Sequence, residues 1–354
     1  MIKFSKFCNL RCGYCYEWDN LSSKARISLD DLPKIFEKIL AYSSHFKSTP
    51  KICWHGGEPL MLGEKYIREA MAIMKAAAPD VPHLIQTNLY QKVDGLIDTL
   101  RLFDHVSVSL DLFTSDRFNI RGEDSHNRVV ENLDLLRSNG IAHGLISVLN
   151  SKNHKDTRRA YQFVKEALVP IRFLPFYRKA NSEQVEDYGL TGSQLLDAFQ
   201  AMAQPWLDDG RPIYILPLHE YLCAAENYVQ GAEKRVYDKS SREHIMVVDT
   251  SGEVYAVADT YDPKFSYGNL ITDDVEAILN SSGRRGAIND SMDRVLSTCI
   301  SCEFAGSCST FPVAEATPIE RRMFTHDDGC TVAKGMIQFF VDAVRQRRTE
   351  VYTR

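Results

Sequence analysis

Three cysteines crowd the stretch "CNLRCGYC": Cys8, Cys12 and Cys15, spaced C-x3-C-x2-C. Four more lie far downstream: Cys299, Cys302 and Cys308 in "CISCEFAGSC", and Cys330 after a long loop. Thiolates are ligands for zinc and for iron–sulfur clusters. A structural zinc site closes with four ligands, and the first group offers three, with no histidine in its loop. Three thiolates on a four-iron cube leave one iron open to a small molecule, so that the cluster becomes reactive and not only an electron carrier. A zinc loop that borrows a distant ligand is the competing reading. The second group has thiolates enough to close either a zinc site or a [4Fe–4S] cluster. Cys53 and Cys223 stand alone and read as small buried hydrophobes.

The elements that must position these groups alternate. "IKFS" reads as a strand. In "ISLDDLPKIFEKILAY", Ser28 reads as the N-cap and Asp31 follows three on. Leu32, Ile35, Phe36, Ile39 and Leu40 share one helical face. "KICWH" is a strand ending in Gly56-Gly57. Ile67, Ala70, Met71 and Met74 mark a helix, "HLIQTN" a strand, Val93, Leu96, Ile97 and Leu100 a helix, and "HVSVSLD" a strand. Ser125 reads as the cap of a helix carrying Val129, Val130, Leu133 and Leu136. "GLISVLN", a helix over 155–168 and "IRFLPF" complete the series. Such βα alternation implies a parallel sheet with helices outside. Six units are too few for a closed eight-stranded barrel, so the α/β fold class expected is a partial (β/α)6 TIM-like barrel, residues 1–215. Ligands of such sheets sit at the carboxyl ends of the strands. The cysteine loop, Gly56-Gly57-Glu58, Gln86-Thr87-Asn88, and Ser109 with Asp111 all fall there.

After about residue 210 the pattern changes. "PIYILPLHEYLCAAENYV" reads as an extended piece leading into a helix. "IMVVDTSGEVYAV" reads as a hairpin turning at Thr250, Ser251 and Gly252, and a helix around "VAKGMIQFFVDAVRQ" ends the chain. Residues 216–354 are therefore expected to form a small second domain.

The totals narrow the function classes. The 354 residues suit one large domain or two ordinary ones, and 44% hydrophobic content supports a sizeable core. Net charge is −5 with both signs dispersed, so nucleic acid is not an expected partner. No stretch approaches a membrane span, and "MIKFSKFCNL" lacks a signal peptide's apolar centre. A soluble cytoplasmic protein is expected. In a reducing compartment, clustered cysteines bind metal or do chemistry more often than they pair.

The ordered set of strand ends resembles the radical S-adenosylmethionine (SAM) superfamily over roughly residues 1–180. The matching pieces are C-x3-C-x2-C with Tyr14 before its last cysteine, then "WHGGEPL", "IQTN", "VSLD" and "SVLN" in order. The resemblance implies a [4Fe–4S] cluster on Cys8, Cys12 and Cys15, with SAM chelating the open iron. It further implies that Gly56, Gly57 and Glu58 meet the SAM amino group, and that Asn88 belongs to the cofactor site. Ser109 and Asp111 would bond the carboxylate or ribose, and Arg121, ten residues past Asp111, the carboxylate. The Tyr14 backbone and the "FLPF" segment, with Leu174, would hold adenine.

Cys299, Cys302, Cys308 and Cys330 resemble the SPASM extension of radical SAM enzymes, which implies an auxiliary [4Fe–4S] cluster and thus two clusters per chain. The full pattern holds a further inner cluster. Here Val257 and Pro312 stand where its cysteines are expected, and no cysteine lies between Cys223 and Cys299. The inner cluster is therefore expected to be absent.

The resemblance implies reductive cleavage of SAM to a 5′-deoxyadenosyl radical that abstracts hydrogen from substrate. "VVDTSGEVYAVADTY" is similar to a stretch of peptide maturases that also lack inner-cluster cysteines, among them cyclophane-forming enzymes. The substrate implied is a ribosomally made peptide and the product an oxidative side-chain cross-link. Asp259 is the candidate base, the auxiliary cluster an electron outlet or a structural piece, and flavodoxin or ferredoxin the external electron donor. Seven residues precede Cys8, so the peptide reading expects a leader bound by a separate protein or by a surface on the C-terminal domain, or no leader at all. The rival enzyme is a dehydrogenase or epimerase of a sugar or aminocyclitol, in which Cys223 or Cys53 would quench the radical. The rival outside catalysis is a plain iron–sulfur or zinc module.

Overall fold

The structure is a computed structural model, and it describes residues 1–91, 95–176, 182–241, 243, 245–316 and 330–352. Twelve strands run along them: β1 (Ile2–Ser5), β2 (Leu10–Cys12), β3 (Ile52–Gly56), β4 (His83–Thr87), β5 (His105–Ser109), β6 (Arg117–Asn119), β7 (His143–Leu149), β8 (Ile171–Pro175), β9 (Ile215–Leu216), β10 (Met246–Val248), β11 (Glu253–Ala256) and β12 (Gly268–Asn269). The six strands read from the sequence are all present as β1, β3, β4, β5, β7 and β8. The residues group into two compact units.

The first unit comprises Met1–Asp111, Ser115–Ile146 and Ser241–Ile288. In it β1, β3, β4, β5 and the start of β7 lie side by side, all parallel. On the other side of β1 lies β10, also parallel, followed by antiparallel β11 and β12. The hairpin assigned to a C-terminal domain thus extends the same sheet as β1. Its turn is as expected: the Gly252 N–H reaches the Asp249 carbonyl at 2.9 Å, with φ +86 at Gly252.

Apolar residues on alternate strand positions build the core. Phe4 stacks on Trp54 with centroids 3.9 Å apart, and Trp54 meets Phe103 edge-on at 5.3 Å. The helix Leu32–His45 buries Leu32, Ile35, Phe36, Ile39 and Tyr42. Its cap position is Asp31, not Ser28, whose hydroxyl instead accepts the Asp30 N–H at 3.2 Å. Pro33 sets this start, because a residue without an N–H fits only the first turn. Ser125 does precede the helix His126–Ser138, but its hydroxyl is buried without a partner and makes no cap. Asp124 accepts the His126 N–H at 2.6 Å instead. Val93 lies outside the described residues; the helix it was read into runs over Leu96–Leu100.

The second unit comprises Leu112–Thr114, Ser147–Ser240 and Asn289–Arg354, so residue 215 falls within it. Here β8 pairs with β9, parallel. The helix Thr157–Ala167 is close to the expected 155–168. Helix Gly192–Asp208 opens on a full capping box between Thr191 and Gln194. The terminal helix, Thr331–Tyr352, packs on this helix and on Leu218–Gln230. Gly335 allows the approach: a Cβ there would stand 2.5 Å from Leu196. No described helix is long and apolar enough to cross a membrane.

Candidate functional site: two cysteine centres

In the first unit the cysteine loop is held from three sides. β2 pairs antiparallel with β6, so that Cys12 faces Arg117. The Gly57 N–H reaches the Ser5 carbonyl and the Glu58 N–H the Phe7 carbonyl, both at 2.8 Å. This contact is why residues 56 and 57 are glycine. A Cβ on Gly56 would fall 2.0 Å from the Ser5 oxygen, and one on Gly57 2.3 Å from the Lys6 and Phe7 oxygens. The glycines expected to make room for a cofactor make room for the cysteine loop's own backbone.

The thiols sit among donors. Cys8 is 7% exposed, and its sulfur accepts the Leu10 N–H at 3.4 Å and the Asn88 side-chain amide at 3.6 Å. Asn88 also donates to Asn9 at 2.9 Å. The Glu17 N–H bonds the Cys15 sulfur. Burial first, then the Glu58 carboxylate, pushes the Cys8 thiol up to about 12, and burial also raises Cys12 and Cys15. Without a metal these thiols hold their protons; a cation that displaces them gains three thiolates, Cys8 buried and Cys12 and Cys15 half-buried.

Glu58 is buried and already engaged. Its carboxylate accepts from the Leu60 N–H at 3.0 Å, the Thr87 hydroxyl at 2.7 Å and the Asn88 N–H at 2.6 Å. It therefore ties the ends of β3 and β4 together beside Cys8. Tyr14 uses its hydroxyl: it donates to Asp111 and accepts from Arg117 at 3.2 Å. Burial and the Asp111 carboxylate raise this phenol well above its usual range, so it remains a donor. Asp111 is 2% exposed, and Ser109 closes β5 beside it in sequence. Arg121, expected here, is exposed; Arg117 is the guanidinium buried beside Cys12 and Asp111, with Nε unpartnered. Sequence reading missed Arg117 because the bond to Tyr14 spans 103 positions through a ladder of three residues.

A second polar cluster in this unit was also missed. Lys3, on β1, is 2% exposed, ion-paired with Glu17, and donates to the Tyr261 hydroxyl at 2.9 Å. Tyr261 donates in turn to Glu17 at 2.8 Å, and Lys6 pairs with Asp249 at 3.0 Å. A lysine inside the short apolar strand "IKFS" was the available signal. Asp259 is buried too, in the 3-10 turn Val257–Asp259, and not solvated.

In the second unit Cys299, Cys302, Cys308 and Cys330 line one cavity together with apolar Phe304 and Val313. Successive tight turns aim the thiols: the Cys302 N–H reaches the Cys299 carbonyl at 3.0 Å and the Cys308 N–H the Phe304 carbonyl at 2.8 Å. Backbone N–H groups of Thr310 and Ala333 bond the sulfurs of Cys308 and Cys330. Burial, then neighbouring thiols, lifts Cys299 to about 11 and Cys330 to about 12. The four thus act on one another electrostatically and fit a shared metal group. Among the described residues no three His, Cys, Asp or Glu side chains converge on a single-ion position. Leu174 lies in this unit, half-buried on β8. Of the isolated cysteines, Cys53 is half-buried within β3. Cys223 is exposed on its helix, against the buried reading, because it lies off the face that buries Leu222, Ala224 and Ala225.

Residues 2–164 match the sequence profile of the Radical SAM superfamily. The chain is 23% identical over 332 residues to a serine-type anaerobic sulfatase-maturating enzyme of Bacteroides thetaiotaomicron, covering 85% of this chain and 79% of that one. Its fold is similar to that of anSMEcpe solved with AdoMet and the Cp18Cys peptide. The TM-score is 0.75 at 16% identity, covering 99% of this chain and 98% of the other. Streptococcus suis SuiB, solved with its precursor peptide SuiA, gives a TM-score of 0.59 at 13% identity over 87% of this chain and 70% of that chain.

Proposed function

Because the chain carries a radical SAM domain over residues 2–164, we propose that it is a peptide-modifying enzyme that uses SAM to install an oxidative side-chain cross-link. The observation that carries the reading is the three-thiol loop of Cys8, Cys12 and Cys15 with the half-buried Tyr14 and Arg117 and the buried Asp111 beside it. Likeness to a sulfatase-maturating enzyme and to the fold of SuiB supports a peptide over a small molecule.

Cys8, Cys12 and Cys15 would hold one [4Fe–4S] cluster, and Cys299, Cys302, Cys308 and Cys330 a second. Bound there, SAM and the first cluster would supply the radical chemistry that takes a hydrogen atom from substrate, and the second cluster would offer an outlet for the remaining electron. The chain's own part is to aim and to handle protons. Arg117, with its Nε unpartnered, offers a charge-assisted bond to the SAM carboxylate. Asp111 and Tyr14 hold that guanidinium at Nη1, and Ser109, two positions before Asp111, is available for a ribose hydroxyl. Asn88 steadies the Cys8 thiolate. Asp259, buried near the end of the hairpin, takes the proton that the oxidised peptide must release. An exposed Cys223 and a half-buried, strand-bound Cys53 give the epimerase alternative little to quench a radical with.

Anaerobic reconstitution should load about eight irons per chain, as two four-iron clusters require. The reduced protein should turn SAM into 5′-deoxyadenosine, and Cys12→Ala should abolish that turnover. A peptide substrate should lose the mass of two hydrogens per cross-link. Turnover that survives Cys12→Ala removes the proposal.

A further inference from the structure

Thr310 lines the four-cysteine cavity, two residues beyond Cys308. It is 3% exposed, and its hydroxyl is buried with no hydrogen-bond partner among the described residues. A hydroxyl left so carries an unrecovered desolvation cost, and a buried orphan of this kind calls for a reason. An ordinary use was at hand. Thr310 occupies the N-cap position of the helix Phe311–Ala314, where a threonine oxygen commonly accepts an N–H bond, yet no such bond forms. Its φ is +63, in the left-handed region that a β-branched residue rarely enters. In this conformation its backbone N–H bonds the Cys308 sulfur. The residue thus gives up a cap, holds a strained backbone and presents one donor to the cysteine site with a second donor unspent.

Apart from the cysteines, the Thr298 hydroxyl is the one other side-chain acceptor in the described lining. Phe304, Pro312, Val313 and Ile337 contribute apolar surface to the cavity, and Lys334 is itself a donor. The acceptors a loaded site would bring are sulfurs, either thiolate or bridging sulfide. We propose that the Thr310 hydroxyl donates a hydrogen bond to a sulfur of the cluster held by Cys299, Cys302, Cys308 and Cys330, and so raises that cluster's reduction potential. This rests on the reading that the four thiols hold an iron–sulfur cluster. A donor at sulfur stabilises the more negative, reduced state, and hydrogen bonds to sulfur are among the levers that set cluster potentials. In a cavity walled by apolar side chains one such bond weighs more than it would in water. The consequence is a better acceptor for an electron arriving from oxidised substrate.

The test is a redox titration followed by electron paramagnetic resonance. It uses the full-length chain with Cys8→Ala, Cys12→Ala and Cys15→Ala, so that only the second site can hold iron. Thr310→Val, which keeps the shape and drops the hydroxyl, should shift the midpoint to lower potential, and Thr310→Ser should restore it. Thr310→Ala, which also drops the hydroxyl, is titrated alongside in case valine impairs loading; its midpoint should fall as well. A potential unchanged in the hydroxyl-free variants that load overturns the proposal. Failure of the cluster reading looks different: the parent chain then binds no iron, or binds zinc in its place.

Discussion

The side-chain amide of Asn88 stands 3.6 Å from the sulfur of Cys8, while its carbonyl accepts the Tyr90 N–H at 2.9 Å. One residue at the end of β4 therefore both donates to a cluster-site thiol and fixes the loop that follows. Asn88→Ala removes both bonds and the one to Asn9, each worth about 1 kcal/mol. The variant should load iron, unfold at lower urea than the parent, and reduce at a more negative potential. Paired urea and redox titrations read the two losses separately.

Arg117 and Arg121 separate cleanly as variants. Arg117→Ala should weaken SAM binding by about 10- to 100-fold, the worth of a charge-assisted bond of roughly 1.5–3 kcal/mol. Arg121→Ala, at an exposed position, should leave affinity within about twofold, as surface substitutions usually do. Isothermal titration with SAM under anaerobic conditions measures both. Equal losses would return the carboxylate to Arg121.

Lys3 and Glu17 have side chains 2% and 5% exposed. Lys3→Met strands a buried carboxylate and should cost about 3–5 kcal/mol. Adding Glu17→Leu removes the stranded charge and should recover part of that loss, since a buried pair replaced as a whole is often nearly neutral. Chemical denaturation of Lys3→Met, Glu17→Leu and the double variant against the parent gives the coupling directly.

His83 is fully buried, and its Nδ1 accepts the Trp54 indole N–H at 3.2 Å. Burial first, then the Lys75 ammonium, lowers it to about 4, against about 6.5 in an unfolded chain. Between those values the unfolded state takes up a proton that the folded state refuses. Stability is thus intact above about 6.5 and drains away as pH falls toward about 4. His83→Gln, which keeps an acceptor for Trp54, should flatten this part of the pH–stability curve. A slope equal to the parent's would place the acid sensitivity elsewhere.

What could be read from the sequence was what local chemistry dictates. The cysteine spacings, the six strands and the Thr250–Gly252 turn depend on neighbours within a few positions. The misses are non-local. Arg117 gains its place from a short ladder to Cys12, and the hairpin joins the sheet only because β10 aligns beside β1, matching Ile2 with Val248. Periodicity carries no record of such partnerships. The glycine pair shows a subtler limit: "HGG" announced a close approach, but not that the approaching atoms were the carbonyls of Ser5, Lys6 and Phe7.

The partnership of Lys3 and Glu17 with Tyr261, and of Lys6 with Asp249, bears on how the protein is born. The ribosome delivers the thiol loop first, while the side chains that fasten its flanks emerge more than 200 residues later. A nascent chain paused before Asp249 already has β6, Gly57, Glu58 and Asn88 to hold the thiol loop, but Lys3, Glu17 and Lys6 at its flanks still lack Tyr261 and Asp249.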